Sequence, residues 1–363
     1  MRIVHLSYAR VNNVKDPAAW IRKIGFFTGI LASMATTNQV FSSHGIDYSG
    51  TLESHGVTYR FFASRWWDRI FHYRLHAWVR HIRPDAVIVH GLHFPWCVLC
   101  LRFLVGPDVK IFVQHHAEKP SRLVRRVFQS WADKFISGYF FSSLEMSAGW
   151  LTSRQISNQS KVHEVMEVSS VFESKNTEVP ERRSSSKGES TYLWVGRLDK
   201  NKDPITLLTA FVKFLEQHAR AKLYMVFQTN DLLPEVQSLA DGHSGNIILV
   251  GLLQHYEMKA IYDQADFIIS TSHYEGSGVA VCEAMSRGCI PILSGIASFR
   301  MMTSDGEVGF LFQTGNSLSL HESLEKSLLV DKNLERQRVL QHFHNKLSFR
   351  AIADKMIQVI NAG

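Results

Sequence analysis

Cysteine is scarce: four thiols in 363 residues cannot build a disulfide framework, which points to a reducing compartment. Two of them form Cys97-x-x-Cys100 inside an apolar run, with no second ligand pair at zinc spacing, so reduced core thiols are expected rather than a metal site. Long apolar runs are missing too. The longest, Trp96-Cys97-Val98-Leu99-Cys100-Leu101, is cut by Arg102 and falls well short of the roughly 20 residues a membrane-spanning helix needs. Met1-Arg2-Ile3-Val4-His5-Leu6-Ser7 reads as a first core strand, so neither a signal peptide nor a transmembrane helix is expected. Acidic residues are outnumbered, 33 against 40 basic ones, for a formal charge of +7. That excess favours anionic partners, meaning nucleotides, nucleic acid or an acidic membrane surface. No nucleic-acid motif is recognised, so nucleic acid is not expected as a partner.

What is present suits a globular enzyme-sized chain. With 45% hydrophobic residues and no dominant low-complexity tract, the length suggests two domains of about 150 to 190 residues each. The first half alternates strands and helices. Ile3 to Leu6, Asp85 to His90, Val109 to Gln114 and Phe135 to Ser142 read as strands, and Ala18 to Ala35 and Ser121 to Ala132 as helices. Residues 173–190, with Pro180, Arg182-Arg183, three consecutive serines and Gly188, read as an exposed linker. A second series follows: strands at Tyr192 to Val195, Leu223 to Phe227, Ile247 to Val250, Phe267 to Ser270 and Ile290 to Leu293, with helices at Pro204 to Leu215 and Tyr256 to Asp263. Alternation of this kind implies α/β architecture with two parallel, doubly wound, Rossmann-like sheets. Ligands of such sheets lie at the carboxyl ends of the strands, so two halves would face a central cleft. The expected boundaries are 1–172, 173–190, 191–345 and a terminal helix at 346–363.

The chemistry concentrates in His273-Tyr274-Glu275-Gly276-Ser277-Gly278-Val279-Ala280-Val281-Cys282-Glu283-Ala284-Met285. A buried strand precedes it and a helix that stops near Gly288 follows. Glycines at a strand-to-helix junction let backbone approach a ligand, and the helix start aims free N–H groups and a positive dipole end at an anion. Phosphate is the natural guest. Gly196-Arg197-Leu198-Asp199-Lys200-Asn201-Lys202 occupies the same kind of junction, so Arg197 and Lys202 emerge at the ligand end of the sheet. Arg grips phosphate bidentately and Lys adds a point charge.

These residues resemble a known family. Glu275 to Glu283 is similar to the E-x7-E signature of retaining GT-B glycosyltransferases of family 4, and Val195-Gly196-Arg197-Leu198 through Lys202 to its basic donor-diphosphate motif. Leu249-Val250-Gly251, Tyr262 to Asp266, Arg287 to Ile292 and Asp305 to Leu311 follow the pattern in order, so the likeness covers about residues 190–330. The resemblance implies that Arg197 and Lys202 bind the diphosphate of a nucleotide-sugar donor, a UDP- or GDP-sugar. Glu275 would hold hydroxyls of the transferred sugar, with Gly276, Ser277, Gly278 and Val279 meeting sugar and phosphates. Glu283 would take the ribose hydroxyls, and Val250 and Gly251 would lie near the base.

It further implies retention of configuration by same-face attack assisted by the departing phosphate, with neither metal nor cofactor required. The first half matches less well. Relatives often carry a histidine after the third strand that contacts the donor sugar; here His115-His116 stands there, with His116 preferred, and His90 and His93 are further candidates. The acceptor is expected to be a glycan or a lipid-linked acceptor in cell-surface polysaccharide or glycoconjugate synthesis. Arg65 to Leu75 and Arg122 to Phe128 mix basic and apolar residues at helical spacing, which fits either a core-facing helix or peripheral contact with an acidic membrane. The expected location is the cytoplasm, including the inner face of the membrane. A GT-B-like sugar-nucleotide epimerase and a non-catalytic nucleotide-sugar-binding protein are the alternatives. Phe349 to Ile360 has helical periodicity and is expected to cross back onto the first domain.

Overall fold

The computed structural model describes residues 1–63, 72–173 and 190–362. Most of the expected linker, and Arg65 to Phe71 of the first basic-aromatic segment, lie outside the described residues. The chain divides into two units: Met1–Ser169 together with Phe349–Gly363, and Ser170–Ser348.

Unit 1 is built on β1 (Arg2–Arg10), β2 (Gln39–Gly45), β3 (Gly50–Ser54), β4 (Val57–Phe61), β5 (Ala86–His90), β6 (Lys110–Gln114), β7 (Gly138–Phe141) and β8 (Val162–Glu164). They form one sheet in the order β3-β4-β2-β1-β5-β6-β7-β8, in which only β3 and β4 run antiparallel. Central strands are covered on both faces: Ile3, Val4 and Leu6 of β1 and Ala86 to Val89 of β5 have no more than 0% exposure. Their near-continuous apolar runs are what a doubly covered parallel sheet demands. Chain order reverses beside β1, which lies between β2 and β5.

Several elements differ from expectation. The anticipated helix over Ala18 to Ala35 is two helices, Pro17–Lys23 and Gly25–Met34, broken at Ile24, whose φ of −98° and ψ of 29° leave the helical basin. The strand expected from Phe135 begins only at Gly138, because Lys134 to Ile136 are still folded back on the preceding helix by i to i−3 hydrogen bonds. The apolar run at Cys97 is a helix, Pro95–Val105. Cys97 is buried there and its thiol is pushed up to about 12 by burial, the behaviour of an inert core thiol. The C-terminal helix Phe349–Ala362 packs on Gly25–Met34, with Phe349 seated against Gly29, where any side chain would collide with its ring. No helix among the described residues is long and apolar enough to cross a membrane.

Unit 2 carries β9 (Thr191–Gly196), β10 (Lys222–Phe227), β11 (Ile247–Gly251), β12 (Phe267–Ser270), β13 (Ile290–Ser294) and β14 (Phe310–Phe312). All neighbours are parallel, in the order β11-β10-β9-β12-β13-β14. The chain therefore works outward from β9 to one edge, then returns to β9 and builds toward the other. A crevice opens at such a reversal, because the connections that follow the two central strands go on to strands on opposite sides, β10 and β13. One core lies between the sheet and the helix Pro204–Leu215, which buries Leu207, Leu208, Phe211 and Phe214 against Tyr192, Trp194, Phe267 and Ile269. Pro204 at the first helical position and the Asp203 cap, whose carboxylate accepts from Thr206 N at 3.1 Å, fix where that helix starts.

Candidate active site

The reversal point of unit 2 lies between β9 and β12, paired as Tyr192 to Phe267, Leu193 to Ile268 and Trp194 to Ile269. Because the strands are adjacent and parallel, the loops after Gly196 and after Ser270 leave the sheet side by side. Hydrogen bonds tie the two loops together. Thr271 Oγ1 donates to the Lys202 carbonyl at 2.7 Å, the His273 amide to the Asn201 carbonyl at 2.8 Å, and Asn201 Nδ2 to the Tyr274 carbonyl at 3.0 Å. Asp203 faces His273 Nε2 at 3.0 Å while also capping the next helix. The basic loop and the glycine loop thus form one rigid platform.

On that platform Lys202 Nζ donates to Glu275 Oε1 in a short ion pair. The side chains retain 22% and 15% of their exposure, so the pair is half-buried but open to solvent. The backbone under Lys202 is held by Asp199, whose carboxylate accepts from the Lys202 amide at 2.9 Å. Gly196 allows the lysine stem to pass close by: a Cβ there would lie 2.9 Å from the Trp194 ring and 3.4 Å from Lys202 Cγ. Arg197 is placed differently. It reaches Asp199 at 3.0 Å with its side chain 53% exposed, at the same loop but free to turn toward an anion at little cost.

Beyond Glu275, residues Gly276 and Ser277 lead to Gly278, the N-cap of the helix Val279–Ser286. Gly278 adopts φ 59°, and a Cβ would meet Phe299 at 2.7 Å, so both conformation and space require glycine. Val279 opens the first turn, whose free amides face the loop side. Glu283, buried in this helix, has both oxygens engaged: Tyr262 donates its hydroxyl to one at 3.0 Å, and His255 Nε2 lies 2.7 Å from the other. The Tyr262 hydroxyl is raised well above its ordinary pKa by burial and the adjacent carboxylate, so it remains a donor. His255 is 61% exposed and stands at the start of the helix after β11, with Phe172 against its ring at 4.8 Å.

Val250 and Gly251 end β11, the edge strand. That places them two strands from β9, about 10 Å across the sheet. Gly251 adopts φ 78°, while Val250 lines a cavity of about 200 Å³ with Leu193, Tyr224 and Ile261. In unit 1, His115 and His116 follow β6. His115 is buried, stacked on Phe141 at 4.4 Å, with Nε2 directed to the Glu118 carbonyl at 2.9 Å; burial depresses its pKa. His116 is 40% exposed at its side chain, with both ring nitrogens occupied, by Glu167 and His90. His93 is exposed on the loop after β5.

Sequence reading missed the platform ties of Asn201 and Thr271, and His255 as the partner of Glu283. Only the Asp203-Pro204 step carried a local signal, that of a capped helix start. Among the described residues no cluster of three or more potential metal ligands occurs.

The chain is similar to known proteins in sequence and in fold. Residues 175–339 match the family model described as "Glycosyl transferases group 1". A phosphatidyl-myo-inositol mannosyltransferase from Mycobacterium leprae is 26% identical over 272 residues, spanning 73% of this chain and 70% of the relative. A GDP-mannose:cellobiosyl-diphosphopolyprenol alpha-mannosyltransferase from Xanthomonas oryzae pv. oryzae is 31% identical over 124 residues, but the match spans only 33% of either protein. Among solved structures, a glycosyltransferase from Rickettsia africae superposes with a TM-score of 0.74 at 14% identity, covering 99% of this chain and 98% of that one.

Proposed function

We propose that this chain, a glycosyltransferase of GT-B fold whose residues 175–339 match the glycosyl transferases group 1, carries out a retaining transfer of a hexosyl group from a UDP- or GDP-sugar. The observation that carries the proposal is the platform at the β9/β12 reversal, where Lys202 and Glu275 meet beside the start of Val279–Ser286. A cation, a carboxylate and a row of free amides at one strand end match a diphosphate joined to a polyol.

In the proposed complex the donor divides the Lys202–Glu275 pair. Lys202 passes to the diphosphate, where Arg197 joins it, and Glu275 takes hydroxyls of the transferred sugar. Gly276, Ser277, Gly278 and Val279 line the sugar and phosphates. As the glycosidic bond breaks, charge grows on the leaving phosphate, and groups already aimed at it stabilise that charge without reorganising. The departing phosphate then assists the acceptor hydroxyl from the same face, which retains configuration. Glu283 takes the ribose diol, exchanging His255 for a sugar hydroxyl while Tyr262 keeps the carboxylate in place. Val250 and Gly251 flank the base, and His116 is the unit 1 residue assigned to the transferred sugar. The basic side chains supply the positive charge that a metal supplies in other phosphate chemistry, so no cofactor is proposed.

For the acceptor we propose a glycan on a lipid carrier, reached at the cytoplasmic face of an acidic membrane. The support is the helix Leu123–Asp133, where Leu123, Val124 and Trp131 are 87%, 69% and 53% exposed beside the exposed Arg122, Arg125 and Arg126. The expectation of a core-facing apolar stripe fails for these residues; such a mixture of apolar and basic groups suits an interface with anionic headgroups. By their names the two relatives act on phosphatidyl-myo-inositol and on a cellobiosyl-diphosphopolyprenol, which supports a lipid-linked acceptor. Calorimetry across a panel of UDP-, GDP- and ADP-sugars tests the donor assignment. Binding of at least one UDP- or GDP-sugar is expected, and no binding to any of them overturns it.

A further inference from the structure

Unit 1 contains a chain of imidazoles that the transfer reaction does not by itself require. His116 Nδ1 is hydrogen-bonded to Glu167 Oε2, His116 Nε2 faces His90 Nδ1 at 3.0 Å, and His90 Nε2 faces His5 Nδ1 at 3.1 Å. The rings of His116 and His90 are nearly parallel, 21° apart with centroids separated by 5.2 Å, and Phe27 lies edge-on to both His90 and His5, at 4.9 and 5.7 Å. At the inner end, His5 Nε2 is buried without a hydrogen-bond partner among the described residues. The chain runs from a side chain 40% exposed to one wholly buried in β1.

Elementary bookkeeping of donors restricts its states. A neutral imidazole has one N–H and one bare nitrogen, and an imidazolium has two N–H groups. With His116 cationic, Nδ1–H donates to Glu167 and Nε2–H to His90 Nδ1. His90 must then carry its proton on Nε2 and donate to His5 Nδ1, and His5 must be protonated on Nε2. With His116 neutral and still donating to Glu167, the inner bonds reverse: His90 donates from Nδ1 to His116, and His5 from Nδ1 to His90. The two arrangements differ by one proton and by the tautomer of both inner rings. Placing the single charge on His90 or His5 instead would also satisfy every contact, but burial disfavours charge on both of those rings.

We propose that Glu167 is a positioning residue for His116: by accepting from Nδ1 it holds the imidazolium and turns Nε2 onto His90, so that His116, His90 and His5 titrate as one unit. The surroundings agree. Burial disfavours charge on His116, but the Glu167 carboxylate outweighs it and raises the pKa, with Glu118 adding to the effect through space. Glu118 also accepts from the His116 amide at 2.6 Å and from the Leu92 amide at 2.9 Å, fixing the turn that carries the ring. His90 is held well below its ordinary value by burial and by His116, His5 and His44; burial, with His44, lowers His5 to about 3, and burial lowers His44 to about 4. The remaining titratable neighbour, His115, is also depressed by burial. A single charge therefore resides on the chain, at its outer end. For the reaction this gives His116 a fixed orientation and a positive charge that persists as pH rises, on the reading that His116 acts on the transferred sugar.

The test is imidazole 15N NMR on the full-length protein with 15N-labelled histidine, titrated from acid to alkaline pH. His116 is assigned from the signal lost in His116→Gln. In wild type, the His90 and His5 rings are expected to change tautomer with the same midpoint as His116 loses its proton. In Glu167→Gln the His116 midpoint should fall by at least about one pH unit, with Glu167→Asp recovering part of the shift. Inner rings that keep one tautomer throughout, or a midpoint unmoved in Glu167→Gln, overturn the proposal. The wild-type titration decides the coupling even if the variants fail to fold. Donor turnover against pH separates this inference from the reaction assignment: its alkaline limb should move to lower pH in Glu167→Gln by the same amount. A limb that stays put while the NMR midpoint moves removes His116 from the reaction and leaves the chain intact.

Discussion

Replacing Lys202 by alanine separates the two roles assigned to its ammonium. In the free protein it is bonded to Glu275, and the side chains are 22% and 15% exposed. A charge-assisted hydrogen bond is worth about 1.5–3 kcal/mol when well shielded, and partial exposure places this one near the lower limit, about 1–2 kcal/mol. At about 2–4 °C per kcal/mol for a domain of this size, Lys202→Ala should lower the melting temperature by only a few degrees. Catalysis should suffer far more. Losing one preorganised donor to a developing anion costs roughly 2.7–4 kcal/mol, or about 10²–10³-fold in kcat. Release of nucleoside diphosphate, measured by a coupled assay with donor and a membrane or glycan extract as acceptor, reads the second effect, and differential scanning fluorimetry the first. A variant that is folded and within about threefold of wild-type turnover refutes the reasoning, because a loss of about 0.6 kcal/mol is too small for a leaving-group contact.

Other substitutions address the remaining contacts. Glu283→Gln keeps the shape of the side chain but weakens the bond proposed between it and a ribose hydroxyl by roughly 1.5 kcal/mol, so calorimetry should find nucleoside diphosphate bound about tenfold more weakly and inorganic pyrophosphate unchanged. Gly278→Ala forces a side chain into the left-handed basin and against Phe299; a loss of about 1–3 kcal/mol in denaturant unfolding is expected, together with weaker donor binding. Reversing Arg125 and Arg126 to glutamate should reduce sedimentation with phosphatidylserine vesicles by at least about tenfold, since each basic side chain near an anionic surface contributes about 1 kcal/mol. Unchanged sedimentation would remove this helix from the membrane proposal.

The sheets were legible wherever burial on both faces wrote a continuous apolar run, as in Ala86 to His90 or Phe267 to Ser270. They were illegible where polar groups are buried. In β2, Ser42, Ser43 and His44 interrupt the pattern yet are 1%, 1% and 7% exposed, because Ser42 and His44 bond each other and Ser43 receives the Ser7 amide. The β3/β4 hairpin did carry a signal: Val57, Tyr59 and Phe61 alternate with less buried residues, and the His55-Gly56 turn has both φ angles positive. β8 and β14, at three residues each, are too short to show a period. At the candidate site the residue types and their strand-end placement were readable from motif spacing. Their partners were not. His255 lies 28 positions from Glu283 and Glu167 lies 51 from His116, separations that only the sheet order brings together.

Unit 2 is proposed to receive the donor diphosphate at the β9/β12 reversal. Hydrogen–deuterium exchange of the full-length protein, with and without saturating UDP or GDP, locates that event without needing an acceptor. Slowed exchange is expected in residues 197–203 and 271–286 with at least one of the two nucleotides. Protection confined to other segments of the chain, with these two loops unchanged under saturating nucleotide, would contradict it.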